Sequence, residues 1–239
     1  MAGTTSQPAD DYLTPYRQAA VAHGGGFGST LWHSRDGQQL RFGVIAEMLE
    51  GLGDSPLGTD DRGHDDESGG PVEPFGLGGR TVLDAGCGPG DFAAWMTERR
   101  IGYARFVGVD GVDEVIEHAR SRGLPRATFV AGDFVSEPAL LATGEPSIVT
   151  LSGALNTMAD DVAMRLLESM WASASEAIAF NFLSGRCDPG RARASYPARR
   201  LPTDRLLDWA LRQTPLVRFR QDYFPGGHDA TIAMRKPPA

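Results

Sequence analysis

Thr81-Val82-Leu83-Asp84-Ala85-Gly86-Cys87-Gly88-Pro89-Gly90-Asp91-Phe92 is the stretch that decides the fold. An apolar run stops at an acid, Asp84, passes three closely spaced glycines and continues into a helical pattern. This order predicts a β-strand, a tight turn and the start of a helix, because glycine tolerates the positive φ angles of such a turn. The turn would let a ligand lie against bare backbone and meet the free N–H groups at the start of the helix.

Two common nucleotide-binding motifs can be tested against this turn. The dinucleotide fingerprint Gly-x-Gly-x-x-Gly/Ala fails at its last position, where Asp91 replaces the small residue. The phosphate-binding P-loop is excluded because no Gly-Lys-Ser/Thr follows, and the only lysine of the chain is Lys236. The turn is therefore glycine-rich without being of the dinucleotide or P-loop type.

The segment Val82–Gly90 resembles motif I of the class I S-adenosylmethionine (SAM) methyltransferases, whose pattern hh(D/E)hGxGxG it matches at every position. In that family the glycine turn cradles the methionine part of SAM, and the preceding acid orders the loop and holds the amino end. The resemblance thus implies SAM as cofactor and S-adenosylhomocysteine as product. It also implies a first group of cofactor-binding residues: Asp84, Gly86, Cys87, Gly88 and Gly90. A glycine-rich turn without any ligand is the alternative interpretation.

Acids also follow the next two predicted strands. Asp110 ends the run Phe106–Val109 and lies twenty residues beyond Gly90, the spacing at which an acid reaches a ribose hydroxyl. By the same resemblance Gly111 and Val112 lie near the adenosine. Taken alone, Asp110 or Asp133 is more often a helix cap or a loop residue than a ligand, but their order after motif I favours the cofactor role.

Two more strand ends complete the implied cofactor site. Asp133 and Phe134 match the family's pair that contacts the adenine amino group and ring, and a carboxylate suits an amino donor. Ser152 and Gly153 match the exit of the fourth strand, which meets the methionine and the reacting methyl group in this family.

Strands and helices alternate from residue 80 onward, which predicts an α/β domain with a largely parallel sheet. The two last apolar runs, joined by Pro225–His228, predict a closing hairpin. The resemblance implies the Rossmann-like class I methyltransferase fold: a seven-stranded, mostly parallel sheet in the order 3-2-1-4-5-7-6, with helices on both faces. Cofactor then binds outside the carboxyl ends of the strands.

Three regions are expected along the chain. Residues 1–53 contain two amphipathic helical patterns and are interpreted as an N-terminal helical lid, residues 54–79 as a flexible acidic, glycine-rich insertion, and residues 80–239 as the SAM-binding domain. Arg41 in the second helix is either a ligand of the SAM carboxylate or a surface arginine. The run around His64 is interpreted as a solvated loop, and no metal is expected.

The expected function is methyl transfer from SAM to a small-molecule acceptor by in-line displacement, in the enzyme class EC 2.1.1.-. The alternatives are a methyltransferase acting on RNA, DNA or protein, and a SAM-binding protein of this fold that does not methylate. A base is needed only if the acceptor must lose a proton. The weak catalytic candidates are Asn156, which orients substrate or caps a turn, and Tyr16, His23 and Tyr223.

Charge and composition limit the partners. The formal net charge of −8 makes nucleic-acid binding unlikely, because that affinity depends on neutralising phosphates. Two cysteines, no apolar run of membrane-spanning length and no secretory signal predict a cytoplasmic protein that does not enter a membrane. A monomer or homodimer is expected.

Overall fold

A seven-stranded sheet forms the centre of the protein. The computed structural model describes residues 12–53, 75–191 and 196–237. The strands are β1 (Thr81–Ala85), β2 (Arg105–Asp110), β3 (Ala127–Ala131), β4 (Ile148–Leu151), β5 (Ala177–Leu183), β6 (Val217–Arg220) and β7 (Asp229–Arg235). Their order is β3-β2-β1-β4-β5-β7-β6. Strand β7 runs antiparallel to β5 and to β6, whereas the other pairs are parallel. The predicted fold and strand order are confirmed.

Helices cover both faces of this sheet. They are α1 (Thr14–His23), α2 (Arg35–Glu50), α3 (Asp91–Glu98), α4 (Asp113–Ser121), α5 (Asp160–Ser173) and α6 (Thr203–Gln213). One buried cluster joins α5 and α6 to strand residues such as Leu83 and Phe180, and the other joins α2, α3 and α4 to residues such as Val82 and Ala179. Successive strand residues point to opposite faces, so the continuously apolar strands are buried on both sides. No helix among the described residues has both the length and the apolar character of a membrane span.

The expected N-terminal lid divides into two parts with different roles. Helix α2 packs on one face of the sheet, with Phe42, Ile45 and Leu49 in the same buried cluster as the strands. Its N-terminus is capped by Ser34, whose hydroxyl accepts from the amide of Gly37. Among the described residues, α1 and the loop before α2 cover the edge of the sheet, whereas α2 is a core helix that reaches the cavity through Gln38 and Phe42.

Some expected boundaries shift or lie outside the described residues. Helix α1 begins at Thr14 with Pro15 in its first turn, where proline is tolerated, and the expected start at Asp10 is not among the described positions. The same applies to residues 54–74 of the expected insertion, which include His64. The described end of that segment is buried, since Phe75 is only 2% exposed.

We expect Gly108 in β2 to be required for packing next to the glycine turn. A Cβ there would lie 2.6 Å from Cδ1 of Phe129 and 2.7 Å from Sγ of Cys87. Gly108→Ala should lower the free energy of unfolding by about 1–3 kcal/mol, because a packed core has no space for another methyl group. Gly102→Ala is the matched control, since nothing lies within 4 Å of its Cβ position. Urea denaturation of both variants measures the difference, and equal stability would contradict this packing argument.

Candidate functional site

The glycine turn and the loop after β2 are built as one unit. Gly86, Gly88 and Gly90 all have positive φ, at 72°, 54° and 77°. The carboxylate of Asp110 accepts from the amide of Gly88 at 2.9 Å and from the amide of Val112 at 3.1 Å. One side chain at the end of β2 therefore fixes the loops after two neighbouring strands.

These loops open into a cavity of about 690 Å³, counting the open space at its mouth. Ten of the expected cofactor-binding residues line it: Asp84, Gly86, Cys87, Gly88, Asp110, Gly111, Val112, Phe134, Ser152 and Gly153. The topology thus brings residues from the ends of four strands to one edge of the sheet, as parallel strands require.

The cavity wall is acidic and, within the described ranges, contains no arginine, lysine or histidine. Desolvation raises the pKa of Asp84 from 3.8 to about 7, partly offset by the hydroxyl of Thr150, which donates to Oδ1 at 2.9 Å. Desolvation also raises the pKa of Asp110 to about 6 against the opposing effect of the amides that bind it. Both carboxylates would be stabilised as anions by a cationic ligand.

A row of buried polar side chains supports the floor of the cavity. Thr150 on β4 lies beside Asp84, and Asn181 on β5 accepts from the amide of Gly153 at 2.8 Å and donates to Ser152 Oγ at 3.1 Å. Both Thr150 and Asn181 are fully buried. Sequence analysis missed them, although a polar residue within an apolar strand is a visible signal, because a buried polar group needs partners.

The N-terminal part of the chain covers the cavity. Leu13 lies where a side chain on Gly111 would be, with Cδ1 2.8 Å from that Cβ position. The hydroxyl of Tyr12 donates to Asp133 at 2.5 Å, and its ring lies 6.4 Å from that of Phe134. Tyr12 and Leu13, which we call the N-terminal cover, therefore lie directly over the ends of β2 and β3.

Asp91, the residue that breaks the dinucleotide fingerprint, anchors α2 to the glycine turn. It accepts from Gln38 Nε2 at 3.1 Å and from Arg122 at 2.8 Å, and Arg122 also donates to the carbonyl of Pro89 at 2.7 Å. Gln38 lines the cavity and is 4% exposed. Gln38 therefore connects α2 to the glycine turn, and its side chain also faces the cavity.

The structure corrects the expected role of Arg41. Its guanidinium binds Asp229 through Nε at 2.7 Å and Nη2 at 2.5 Å, while Nη1 donates to the carbonyl of Gly37 at 2.9 Å. Arg41 does not line the cavity and is 9% exposed. It is therefore neither a surface residue nor placed to bind a cofactor carboxylate, because these bonds already use its planar edge.

Two other expected cofactor residues also lie outside the cavity wall. Gly90 precedes α3, and a Cβ there would lie 3.0 Å from the ring of Phe129, so its role is packing and the left-handed turn. The carboxylate of Asp133 accepts hydrogen bonds from the hydroxyl of Tyr12 and the amide of Val135. This carboxylate holds the N-terminal cover in place.

Of the four weak catalytic candidates, Tyr16 alone lines the cavity. Asn156 accepts from the amide of Leu183 at 2.7 Å and therefore fixes the loop after β4. His23 is exposed at the end of α1, and the hydroxyl of Tyr223 bonds to Thr231 at 2.8 Å. Desolvation raises the pKa of Tyr16 to about 12, which keeps its phenol protonated at neutral pH.

Comparison with known proteins gives one family match within the chain. Residues 82–175, from β1 to the end of α5, match the family model described as "Methyltransferase domain". This segment carries motif I and the ends of the first four strands. These residues, less than half of the chain, are similar to a methyltransferase domain.

Solved structures with this fold include several methyltransferases. Magnesium protoporphyrin IX methyltransferase from Synechocystis PCC 6803, with bound SAM, matches over 97% of this chain and 100% of its own, with a TM-score of 0.60 and 14% identity. An O-methyltransferase family protein from Burkholderia thailandensis matches over 66% and 51%, with a TM-score of 0.52 and 15% identity. The small RNA methyltransferase HEN1 matches over 68% and 24%, with a TM-score of 0.54 and 15% identity. At these identities the likeness establishes the fold. Among curated proteins, no relative matches the chain.

SAM is the cofactor of this family, and the expectation of SAM is confirmed at that level. The match and fold support SAM-dependent methyltransferase activity. Within the described part of the chain, no cluster of three or more histidine, cysteine or acidic side chains could hold a metal ion.

We expect Asp84 to destabilise the ligand-free protein as the pH rises. Its pKa is about 7 in the fold and 3.8 ordinarily, so the folded state binds more protons between these values and loses stability across that window. Asp84→Asn should therefore raise the free energy of unfolding near neutral pH, by up to about 1.4 kcal/mol per unit of pKa difference. The gain should vanish toward pH 4.

Urea denaturation across this pH range measures the effect. Asp161→Asn, at an exposed position on α5, is the control and should leave the pH dependence nearly unchanged. A stability difference between Asp84→Asn and the native chain that stays constant with pH would contradict the raised pKa.

Proposed function

We propose that this protein is a SAM-dependent methyltransferase that acts on a small-molecule acceptor. The observation that carries the proposal is the cavity itself: a glycine turn, the buried Asp84 and the half-buried Asp110 at neighbouring strand ends, with no basic side chain among its described lining residues. SAM carries positive charge on its sulfonium and ammonium groups. An acidic cavity suits a cation, because burying an ionised carboxylate without a counter-charge costs free energy.

The end of the cavity near β2 suits the adenosine. Both oxygens of Asp110 accept one backbone amide each, which leaves lone pairs for ribose hydroxyls. Gly111 and Val112 follow it along the wall, and Phe134 provides an apolar surface for the adenine ring. Asp133 is assigned to the cover through Tyr12 rather than to the adenine amino group.

The end near β1 and β4 suits the methionine part. Asp84 has Thr150 as its only donor within the described ranges, so its carboxylate retains acceptor capacity for an ammonium group. Gly86 and Gly88 present bare backbone, because a side chain on either would require strain at positive φ. Ser152 accepts from Asn181 and so keeps its own hydroxyl proton available for a carboxylate.

The chemistry assigned to the chain is positioning and exclusion of water. When bound, SAM supplies an electrophilic methyl group on sulfur. Trp32 closes the wall beside Gly153 at the reacting end and Leu13 covers the adenosine end at Gly111, which orients an acceptor and keeps water away. Tyr16 is protonated at neutral pH, so it serves as a hydrogen-bond donor and does not act as a base. The methyl acceptor must therefore bind as a competent nucleophile or lose its proton to solvent.

A small acceptor is favoured over a nucleic acid. Phosphates are bound by arginine and lysine, and the described cavity wall has neither, in a chain with a net charge of −8. Incubation with labelled SAM and a panel of amines, phenols, thiols and acids, alongside RNA, DNA and protein, tests the proposal. Transfer to a small molecule supports it, and transfer only to a macromolecule contradicts the small-molecule assignment. No binding of SAM or S-adenosylhomocysteine would contradict the proposal altogether.

We expect Asp110→Asn to weaken the binding of SAM and S-adenosylhomocysteine by about 10- to 100-fold. The amide has one acceptor oxygen where the carboxylate has two, so it loses the charge-assisted bonds to the ribose, each worth about 1.5–3 kcal/mol, and leaves one of the two turn amides without its partner. Titration calorimetry measures both ligands. Asp113→Asn, exposed on the first turn of α4, is the control and should bind normally. Unchanged affinity in folded Asp110→Asn would rule out the ribose assignment.

A further inference from the structure

Four planar groups are stacked beside the cavity, and we call this column the Arg41 stack: Trp32, Arg41, Phe224 and His228. The guanidinium carbon of Arg41 lies 4.6 Å from the ring centre of Trp32 and 4.4 Å from that of Phe224. The rings of Phe224 and His228 are 4.9 Å apart and nearly parallel, at 24°. Two aromatic rings therefore lie within cation–π distance of the guanidinium, an arrangement that arginine favours.

One buried carboxylate anchors the stack to the sheet. Asp229, fully buried at the start of β7, binds Nε and Nη2 of Arg41 and also lies 2.8 Å from Nδ1 of His228. It pairs with Leu183 of β5, so its backbone belongs to the rigid sheet. Gly37 lies next to the stack, since a Cβ there would lie 3.3 Å from Nη1 of Arg41 and 3.6 Å from Cζ of Phe224.

Trp32 is the layer of the stack that lines the cavity. Its Cζ2 lies 2.7 Å from the Cβ position of Gly153, so the indole fills the space that a side chain there would take. Gly153 is in turn held by Asn181. The indole thus lies between a guanidinium fixed by Asp229 and the loop after β4.

We propose that Arg41 and Asp229 are positioning residues that act on the cavity through Trp32. The ion pair fixes the guanidinium, the guanidinium fixes the plane of the indole, and the indole forms the wall beside Gly153 where the proposed function places the reacting end of the cofactor. Lysine cannot replace Arg41 in this role, because it has neither the planar fork nor the stacking face. The proposal rests on the assignment of the cavity to SAM.

Fluorine NMR on protein labelled with 5-fluorotryptophan tests this arrangement. The chain has four tryptophans, and Trp32→Phe assigns the resonance of interest. Arg41→Lys should shift the Trp32 resonance and leave the other three in place, and it should weaken S-adenosylhomocysteine binding by about 3- to 10-fold in calorimetry. In a Trp32→Ala background, Arg41→Lys should weaken binding no further, because its effect passes through the indole.

Arg80→Lys is the matched control. Arg80 also combines an ion pair, with Glu176 at 2.9 Å, and a stacked ring, Phe75 at 4.4 Å, but it precedes β1 at the opposite edge of the sheet. It should change neither the Trp32 resonance nor binding. Should Arg41→Lys fail to fold, Arg41→Met combined with Asp229→Asn removes both charges together and is measured in the same way.

Two results would overturn the proposal. An unmoved Trp32 resonance in a folded Arg41 variant would show that the stack does not fix the indole. Equal losses of affinity with and without Trp32 would show that Arg41 acts by another route. If the native chain fails to bind S-adenosylhomocysteine, the proposed function is wrong, while the Trp32 resonance in Arg41→Lys still decides whether the stack orders the cavity wall.

Discussion

The carboxylate of Asp110 is the interaction on which the candidate site depends. By accepting from the amides of Gly88 and Val112, it joins the loop after β1 to the loop after β2. Neither loop has regular structure of its own, and a glycine turn without such a partner would sample many conformations. Because the acid belongs to the end of a buried strand, the parallel sheet holds the backbone that lines the cavity in place.

This arrangement has an electrostatic cost in the absence of a ligand. Asp84 and Asp110 lie in one cavity, and burial raises the pKa of both. The cost is an expected feature of a binding site, since the groups that bind a cation must be held ready before it arrives. The helix α3 begins directly after the glycine turn, and its N-terminus supplies the nearby positive potential that favours carboxylates.

Much of the fold could be predicted from the sequence because its signals are local. Motif I is a continuous segment, the acids follow their strands directly, and alternation of strands and helices determines a parallel sheet. Ten of the thirteen expected cofactor-binding residues line the cavity for this reason. The cover was harder to predict, because the bond between Tyr12 and Asp133 joins positions 121 residues apart. No local sequence pattern indicates a contact between residues so far apart in the chain.

Arg41 shows where local reasoning ends. An arginine beside a cofactor site is equally compatible with a ligand, a surface side chain and an internal ion pair, and the outcome depends on Asp229, 188 residues away. Once paired, the guanidinium contributes its shape and its stacking faces rather than a free charge. Breaking one partner of such a pair costs about 3–5 kcal/mol, so the arginine cannot readily turn toward a ligand. The described cavity wall consequently contains acids and no basic side chain, although the guanidinium of Arg41 lies 4.6 Å from the ring of Trp32, which lines that wall.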